Sequence, residues 1–359
     1  MKVGTAIVFA GLNRLELREI RLPDLEPDEV LVETQLTALS QGTDRAMLAG
    51  TYRGVEERFP FVYGYSRVGT VLEAGAEVRG FAPGDRVFVG MAGTRLDPAD
   101  GLGEQGGTYT SHGIVHQSDV VPLPDGLDPY VAAAGAIAAI AYQGVVAANV
   151  RANQRVLVAG LGAVGQFSAL FSRLRGAEVW GMDPIPSRRE VAERLSGARP
   201  LDPEGDIPAM IEATAWGSRP WPGRNGPPSA RYEQRRWAGA GGVVDVVIDA
   251  TGRPDAFEAY VPLLVREGTL CLQGYYAQPL TLDFHAAHLK RLAIRTPGGL
   301  DQVDYETVLR LMPPAGVRQL IGRVITLATV QTALPELLFG PPSDVICALV
   351  DWTAGDGQA

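Results

Sequence analysis

Six residues near the middle of the chain, Gly160-Leu161-Gly162-Ala163-Val164-Gly165, carry three glycines in the spacing G-x-G-x-x-G. Each glycine has its own use. Gly160 permits a tight turn, Gly162 lets a phosphate approach the backbone, and Gly165 lets a following helix pack closely on the preceding strand. The chemistry served is anion binding at a helix N-terminus, where unbonded N–H groups and the helix dipole favour negative charge. Asp183 stands eighteen residues after Gly165, at the end of the next apolar run. A carboxylate there accepts hydrogen bonds from an adenine-ribose diol and repels a 2′-phosphate. Gly160, Gly162, Ala163, Val164, Gly165 and Asp183 therefore read as a dinucleotide site, with NAD favoured over NADP. Arg188 and Arg189 stand close enough to soften that preference, and Arg188 is counted with the cofactor set. Thr251, Gly252 and Gly274, at the ends of two later apolar runs, complete it.

The elements that must hold this loop are legible around it. RVLVAG (155–160) reads as a strand, residues 163–175 as a helix, and EVWGMD (178–183) as a second strand. Ser187 with Glu190 reads as a capping box opening the helix REVAERL. VVDVVIDATG (243–252) and GTLCLQG (268–274) are further apolar strands. Strands alternating with helices imply a parallel sheet covered on both faces. Residues 217–242, rich in Pro, Gly, Arg and Trp, interrupt the pattern as an insertion. With Trp216, Trp221 and Trp237 the segment reads equally as a surface loop or as a lid or partner contact.

The first 125 or so residues have another texture. In EVLVETQLTAL, Val30, Val32, Thr34 and Leu36 alternate with their neighbours, the period of a strand. RVGTVLEAG and GDRVFVG are further strands, residues 91–107 a long loop, and VVPLPDGLD a turn and domain boundary.

Net charge is −9, which argues against nucleic acid or an acidic membrane surface as partner. The two cysteines, Cys271 and Cys347, sit in apolar runs. They fit a reducing, cytoplasmic setting and cannot build a multi-cysteine zinc site. No signal-peptide pattern opens the chain. YVAAAGAIAAIAYQGVVAANV (130–150) is uncharged and long enough to span a bilayer, but Ala and Gly dominate it, so a buried helix is expected.

In the order of its motifs the chain resembles the medium-chain dehydrogenase/reductase family over nearly its whole length. VPLPDGL, GLGAVG, Asp183, DVVIDATG and GTLCLQG follow one another as in that family, and DYETVLRLMPPAGVRQL to DVICALV resembles its return to the first domain. The resemblance implies an α/β fold. A GroES-like β-rich catalytic domain would comprise 1–127 and 300–359. A Rossmann domain with a doubly wound parallel sheet would comprise 128–299. It also implies a small-molecule substrate held in the cleft between them, and a homodimer or homotetramer. Zinc-dependent members carry a cysteine, a histidine and a third ligand on a helix. Here Gln41 stands at the cysteine position, Tyr65 at the histidine, Ser66 at the neighbouring glutamate and Ala136 near the third. Gln and Tyr are poor zinc ligands, so no zinc is expected. The combination is similar to a zinc-free branch that includes bacteriochlorophyllide dehydrogenases and enzymes of specialised metabolism.

Without a Lewis acid, hydrogen-bond donors must stabilise charge on a substrate oxygen. The resemblance places Thr43 where relatives keep a hydroxyl in a proton relay, and Tyr65 where a ligand faced the cavity. Asp44 would orient Thr43 or hold a substrate hydroxyl, and Gln41 completes the candidate catalytic set. The bland alternatives are that Thr43 and Asp44 cap the helix DRAMLAG and that Tyr65 is a core aromatic. Of the four histidines, His285 and His288 form an i, i+3 pair that reads as a helix face. Three functions stay open: a metal-free alcohol dehydrogenase or ketone reductase, a reductase of an activated C=C, quinone or imine, and a dinucleotide-binding protein without turnover.

Overall fold

The computed structural model describes residues 2–53, 59–103, 105–215, 242–341 and 343–353. Apart from Gly242, the insertion at 217–242 and the three tryptophans at 216, 221 and 237 lie outside the described residues. The chain divides into two compact units, Met1–Ala139 with Leu300–Ala359, and Ile140–Gly299.

The first unit is built on a seven-stranded sheet. Its strand order is Val120–Pro122, Arg86–Gly90, Ser66–Ala74, Glu29–Leu39, Cys347–Asp351 and Ile321–Thr326, and His112–His116 also pairs with Glu29–Leu39. The chain from Leu300 onward belongs to this unit for a plain reason. Cys347–Asp351 runs antiparallel along Leu36–Leu39, and Trp352 reaches back to donate its indole N–H to Thr37 Oγ1 at 3.0 Å. A second sheet, Arg14–Leu22, Lys2–Gly11 and Phe61–Val62, packs Ile7, Phe9 and Ile20 into the same core. The boundary with the second unit falls at 139/140 rather than at the 127/128 turn. The helix Pro129–Ala133 stays with the first unit, where Ser66 Oγ donates to the Ala133 carbonyl at 2.6 Å.

The second unit is a six-stranded parallel sheet in the order Arg199–Leu201, Glu178–Met182, Arg155–Ala159, Val244–Asp249, Leu264–Leu272, Ala293–Arg295. Numbered along the chain this is 3-2-1-4-5-6, the order of a dinucleotide-binding Rossmann sheet. The reversal lies between Arg155–Ala159 and Val244–Asp249, so the loop after Ala159 emerges at the switch point.

Several local expectations are corrected. The run 130–150 is two helices, Pro129–Ala133 and Gly135–Ala147, separated at Ala134. Among the described residues no helix is long and apolar enough to cross a membrane. The Ser187–Glu190 capping box does not form. The helix begins two residues earlier, at Pro186 after the N-cap Ile185, because proline's fixed φ and missing N–H suit a first helical position. The stretch 91–107 is not only loop. It holds the paired strands Thr94–Arg95 and Gln105–Gly106 and a short turn at Pro98–Asp100, capped by Asp97. Cys271 and Cys347 are buried free thiols, both pushed by burial up to about 12.

Candidate functional site

In the second unit the glycine loop joins Arg155–Ala159 to the helix Ala163–Leu174. Gly160 takes φ 83°, a left-handed value that side chains disfavour. A Cβ on Gly165 would stand 1.8 Å from the Gly160 carbonyl oxygen, so the helix and the turn touch. A Cβ on Gly162 would meet nothing within 4 Å, which leaves open space at the helix entrance. Gly162 is the N-cap and brings no side chain to bond the first-turn N–H groups, those of Ala163 and Val164 among them. An open, uncapped helix N-terminus fits a pyrophosphate.

Asp183 is almost fully buried and has a duty the sequence did not disclose. Its Oδ2 accepts the Leu161 N–H at 2.8 Å and its Oδ1 the Ile185 N–H at 2.8 Å, fastening the glycine loop to the end of the second strand. Arg188 stands 3.9 Å from the same carboxylate, whereas Arg189 donates to the Asp183 carbonyl and to Asp202. A carboxylate oxygen carries two lone pairs, so one amide bond on each leaves capacity for a ribose diol. Thr251 donates its hydroxyl to Asp249 Oδ1 at 2.7 Å. Gly252 and Gly274 bring their two loops into contact: a Cβ on Gly274 would lie 2.3 Å from the Gly252 nitrogen. Sequence reading missed Asp249, a fully buried carboxylate raised by burial and held by Thr251 and Tyr276. Its only signal was a charged residue inside an apolar strand.

In the first unit the strand Glu29–Leu39 ends at Ser40, and the helix Gln41–Leu48 follows. Thr43 and Asp44 lie inside that helix and do not cap it. Asp44 is 0% exposed. Its Oδ2 accepts the Tyr109 hydroxyl at 2.7 Å and the Ser40 N–H at 2.9 Å, and its Oδ1 has no hydrogen-bond partner among the described residues. Burial pushes this carboxyl up to about 7, against the opposing hydrogen bonds. So enclosed a group cannot hold a substrate hydroxyl, and it bonds Ser40 rather than Thr43; both expected roles are corrected. Gln41 is turned elsewhere too: its amide donates to the carbonyls of Val345 and Ile346 at 3.1 and 3.3 Å.

Tyr65 forms part of the wall of a cavity of about 620 Å³ that Met47, Phe59, Phe61, Tyr63 and Met91 also line. Ser40 and Thr43 lie within hydrogen-bonding reach of its phenol, and the Ser40 hydroxyl donates to Thr43 Oγ1 at 3.2 Å. Burial, reinforced by the Asp44 charge, raises the Tyr65 phenol above its ordinary range, which suits a donor and not the base that a lowered pKa would give. Tyr65, Thr43 and Ser40 are therefore brought together, with Asp44 and Tyr109 behind them and Gln41 apart. Ser40 and Tyr109 were missed. Ser40 opens the stretch SQGTD and was given no role there, and Tyr109 is one aromatic in a β-rich run.

Asp44 carries a testable consequence. Its folded pKa lies above the unfolded value, so the folded chain holds a proton that the unfolded chain has released between about pH 4 and pH 7. The stabilisation is complete below that window and lost as pH rises through it. Asp44→Asn stays neutral throughout. Its melting temperature is expected to match the parent at about pH 4 and below and to exceed it near pH 8, by an amount on the order of 2–4 kcal/mol in stability. Calorimetric melts across that range test this, and a parent–variant difference independent of pH would contradict it.

Residues 26–125 match the family described as "Alcohol dehydrogenase GroES-like domain", and residues 163–313 match "Zinc-binding dehydrogenase". The chain is 26% identical to 2-desacetyl-2-hydroxyethyl bacteriochlorophyllide A dehydrogenase of Cereibacter sphaeroides, over 98% of each chain. A protein of Sinorhizobium meliloti 1021 described as a zinc-binding dehydrogenase, solved bound to NADP, shares the fold. It has TM-score 0.77 and 22% identity, with 98% of this chain and 100% of that one covered. An alcohol dehydrogenase from Escherichia coli CFT073, complexed with NADH, gives TM-score 0.76 and 19% identity over 98% and 100%. The GroES-like match comes first along the chain and the nucleotide-binding match second, as in the medium-chain dehydrogenase/reductases, and the chain belongs to that family of NAD(P)-dependent, alcohol-dehydrogenase-type oxidoreductases.

Proposed function

We propose that this member works without zinc, transferring a hydride between NAD and a secondary alcohol or ketone, with the Tyr65 phenol as donor to the substrate oxygen. The observation that carries the reading is the phenol itself, set in a cavity wall with Ser40 and Thr43 against it. The donor chemistry at the positions of the zinc ligands supports the metal-free part. Those positions hold an amide occupied by two carbonyls, a phenol, and near the third Ala136, which is 0% exposed. Among the described residues no three His, Cys, Asp or Glu side chains converge as a metal site.

Bound nicotinamide supplies the hydride. The chain's own residues do the rest. The open helix entrance at Gly162, with the N–H groups of Ala163 and Val164, would hold the pyrophosphate, and Asp183 the adenine ribose. Tyr65 stays protonated at neutral pH and donates to the oxygen on which negative charge grows. Ser40 and Thr43 stand within hydrogen-bonding reach of that phenol oxygen and orient the hydroxyl.

The test is oxidation of reduced nicotinamide by purified protein over a panel of ketones, enones and quinones, with NADH and NADPH compared and bound metal measured by mass spectrometry. Ketone-dependent oxidation, faster with NADH and unaffected by chelators, is expected. One zinc per chain whose removal abolishes turnover would falsify the metal-free reading, and activity confined to enones or quinones would replace the ketone.

A further inference from the structure

Four aromatic residues occur at every second position of one short stretch, Phe59-Pro60-Phe61-Val62-Tyr63-Gly64-Tyr65. Only Phe61–Val62 of this stretch is strand, and Gly64 takes a left-handed φ of 99°, yet the fold brings the four rings together. Successive ring centroids lie 5.2 Å apart for Phe59–Phe61, 6.3 Å for Phe61–Tyr63 and 6.1 Å for Tyr63–Tyr65, a continuous ladder of rings. All four line the cavity of about 620 Å³. That volume lies within the ~300–1,000 Å³ usual for small-molecule sites.

Two further features bear on the occupant. Six of the other positions lining the cavity are glycines, so backbone stands there in place of side chains. No described lining residue is charged. Gly64 is obligatory within the ladder: it takes φ 99°, and a Cβ there would lie 2.5 Å from the Tyr109 ring. A polyol or sugar acid entering this cavity would surrender its hydration to rings that cannot replace it. A flat π-system meets ring faces and edges at the offset and tilted angles that aromatic pairs prefer.

We propose that the substrate is an uncharged, planar, conjugated or aromatic ring compound, stacked on the Phe59–Phe61–Tyr63–Tyr65 ladder. The assignment rests on the hydride-transfer reading above, because it makes this cavity the substrate site and puts the ring beside the Tyr65 phenol. The ladder sets specificity and Tyr65 alone of the four does chemistry.

The test compares two ketones that differ in flatness and little else: 2-acetylnaphthalene and its perhydro counterpart, acetyldecalin. Calorimetric titration into the full chain saturated with NAD is expected to show 2-acetylnaphthalene binding about 10-fold tighter. Phe61→Leu keeps an apolar side chain and removes the ring. It should weaken 2-acetylnaphthalene by about 3- to 10-fold and leave acetyldecalin within about twofold. Unchanged NADH affinity and a cooperative melt confirm that the variant folds, and Phe59→Leu takes its place in the same comparison if it does not. Equal binding of the two ketones, or equal weakening of both in the variant, overturns the ladder. The two readings fail separately. Tight, Phe61-dependent binding without NADH oxidation sinks hydride transfer and leaves the ladder standing, whereas equal turnover of both ketones does the reverse.

Discussion

Tyr65→Phe is expected to lower kcat for ketone reduction by about 100- to 1,000-fold, with KM changed little and NADH binding unchanged. The substitution removes one oxygen and nothing else from the cavity wall. The ring stays, and with it the 6.1 Å edge contact to Tyr63, so substrate seating is preserved. What is lost is the donor aimed at an oxygen that becomes negative only in the transition state, which is why the loss falls on kcat. Removing one donor of this kind costs about 3–4 kcal/mol in other oxyanion sites. Burial raises the phenol above its ordinary range, so the parent rate should show no loss of the donor from neutral pH up to about pH 10. Steady-state kinetics against pH on parent and variant decide the matter. A variant with full turnover removes Tyr65 from the chemistry, and an equal fall in kcat/KM carried by KM alone makes it a packing residue.

The fold was largely readable because its signals are local and redundant. The strands at 155–159 and 178–182 and the helix at 163–174 each follow from an apolar run, a glycine loop and a period. The errors lie where two local rules competed. At Ser187–Glu190 a capping pattern lost to the proline beside it, whose ring already fits the first turn. At 130–150 composition showed a buried helix and gave no sign of the break at Ala134, since tertiary packing decides such breaks. The candidate site divides along the same line. Gly160, Gly162 and Gly165 could be placed because each answers a backbone requirement that the spacing states. Asp44 and Gln41 could not, because their partners, Tyr109 and the Val345–Ile346 carbonyls, stand far along the chain. The aromatic alternation from Phe59 to Tyr65 was plain in the sequence and went unread, since a pattern scored for strand period says nothing of a lined cavity.

The glycine loop supplies a paired prediction in which folding and binding come apart. Gly165→Ala would put a methyl carbon 1.8 Å from the Gly160 carbonyl oxygen, far inside any tolerable contact. Gly160 has nowhere to retreat: a Cβ built on it already lies 3.0–3.1 Å from Thr251 and Ala250 at the end of the neighbouring strand. The helix Ala163–Leu174 must therefore shift outward, uncovering Phe167 and Phe171, which are buried beneath it. Overpacking of this kind costs about 1–3 kcal/mol or more, so a lower melting temperature is expected together with loss of NADH binding. Gly162→Ala meets the opposite circumstances. Its φ is −68°, open to any residue, and its Cβ would touch nothing within 4 Å. The stability of the chain without cofactor should stay within about 0.5 kcal/mol of the parent. The added methyl would nevertheless stand where the pyrophosphate approaches the backbone, and NADH affinity should fall by at least about 10-fold. Calorimetric melts and fluorescence titration with NADH on the two variants separate the effects. If Gly162→Ala binds NADH as tightly as the parent, the phosphates do not sit at this helix entrance, and the assignment of Gly162, Ala163 and Val164 fails with it.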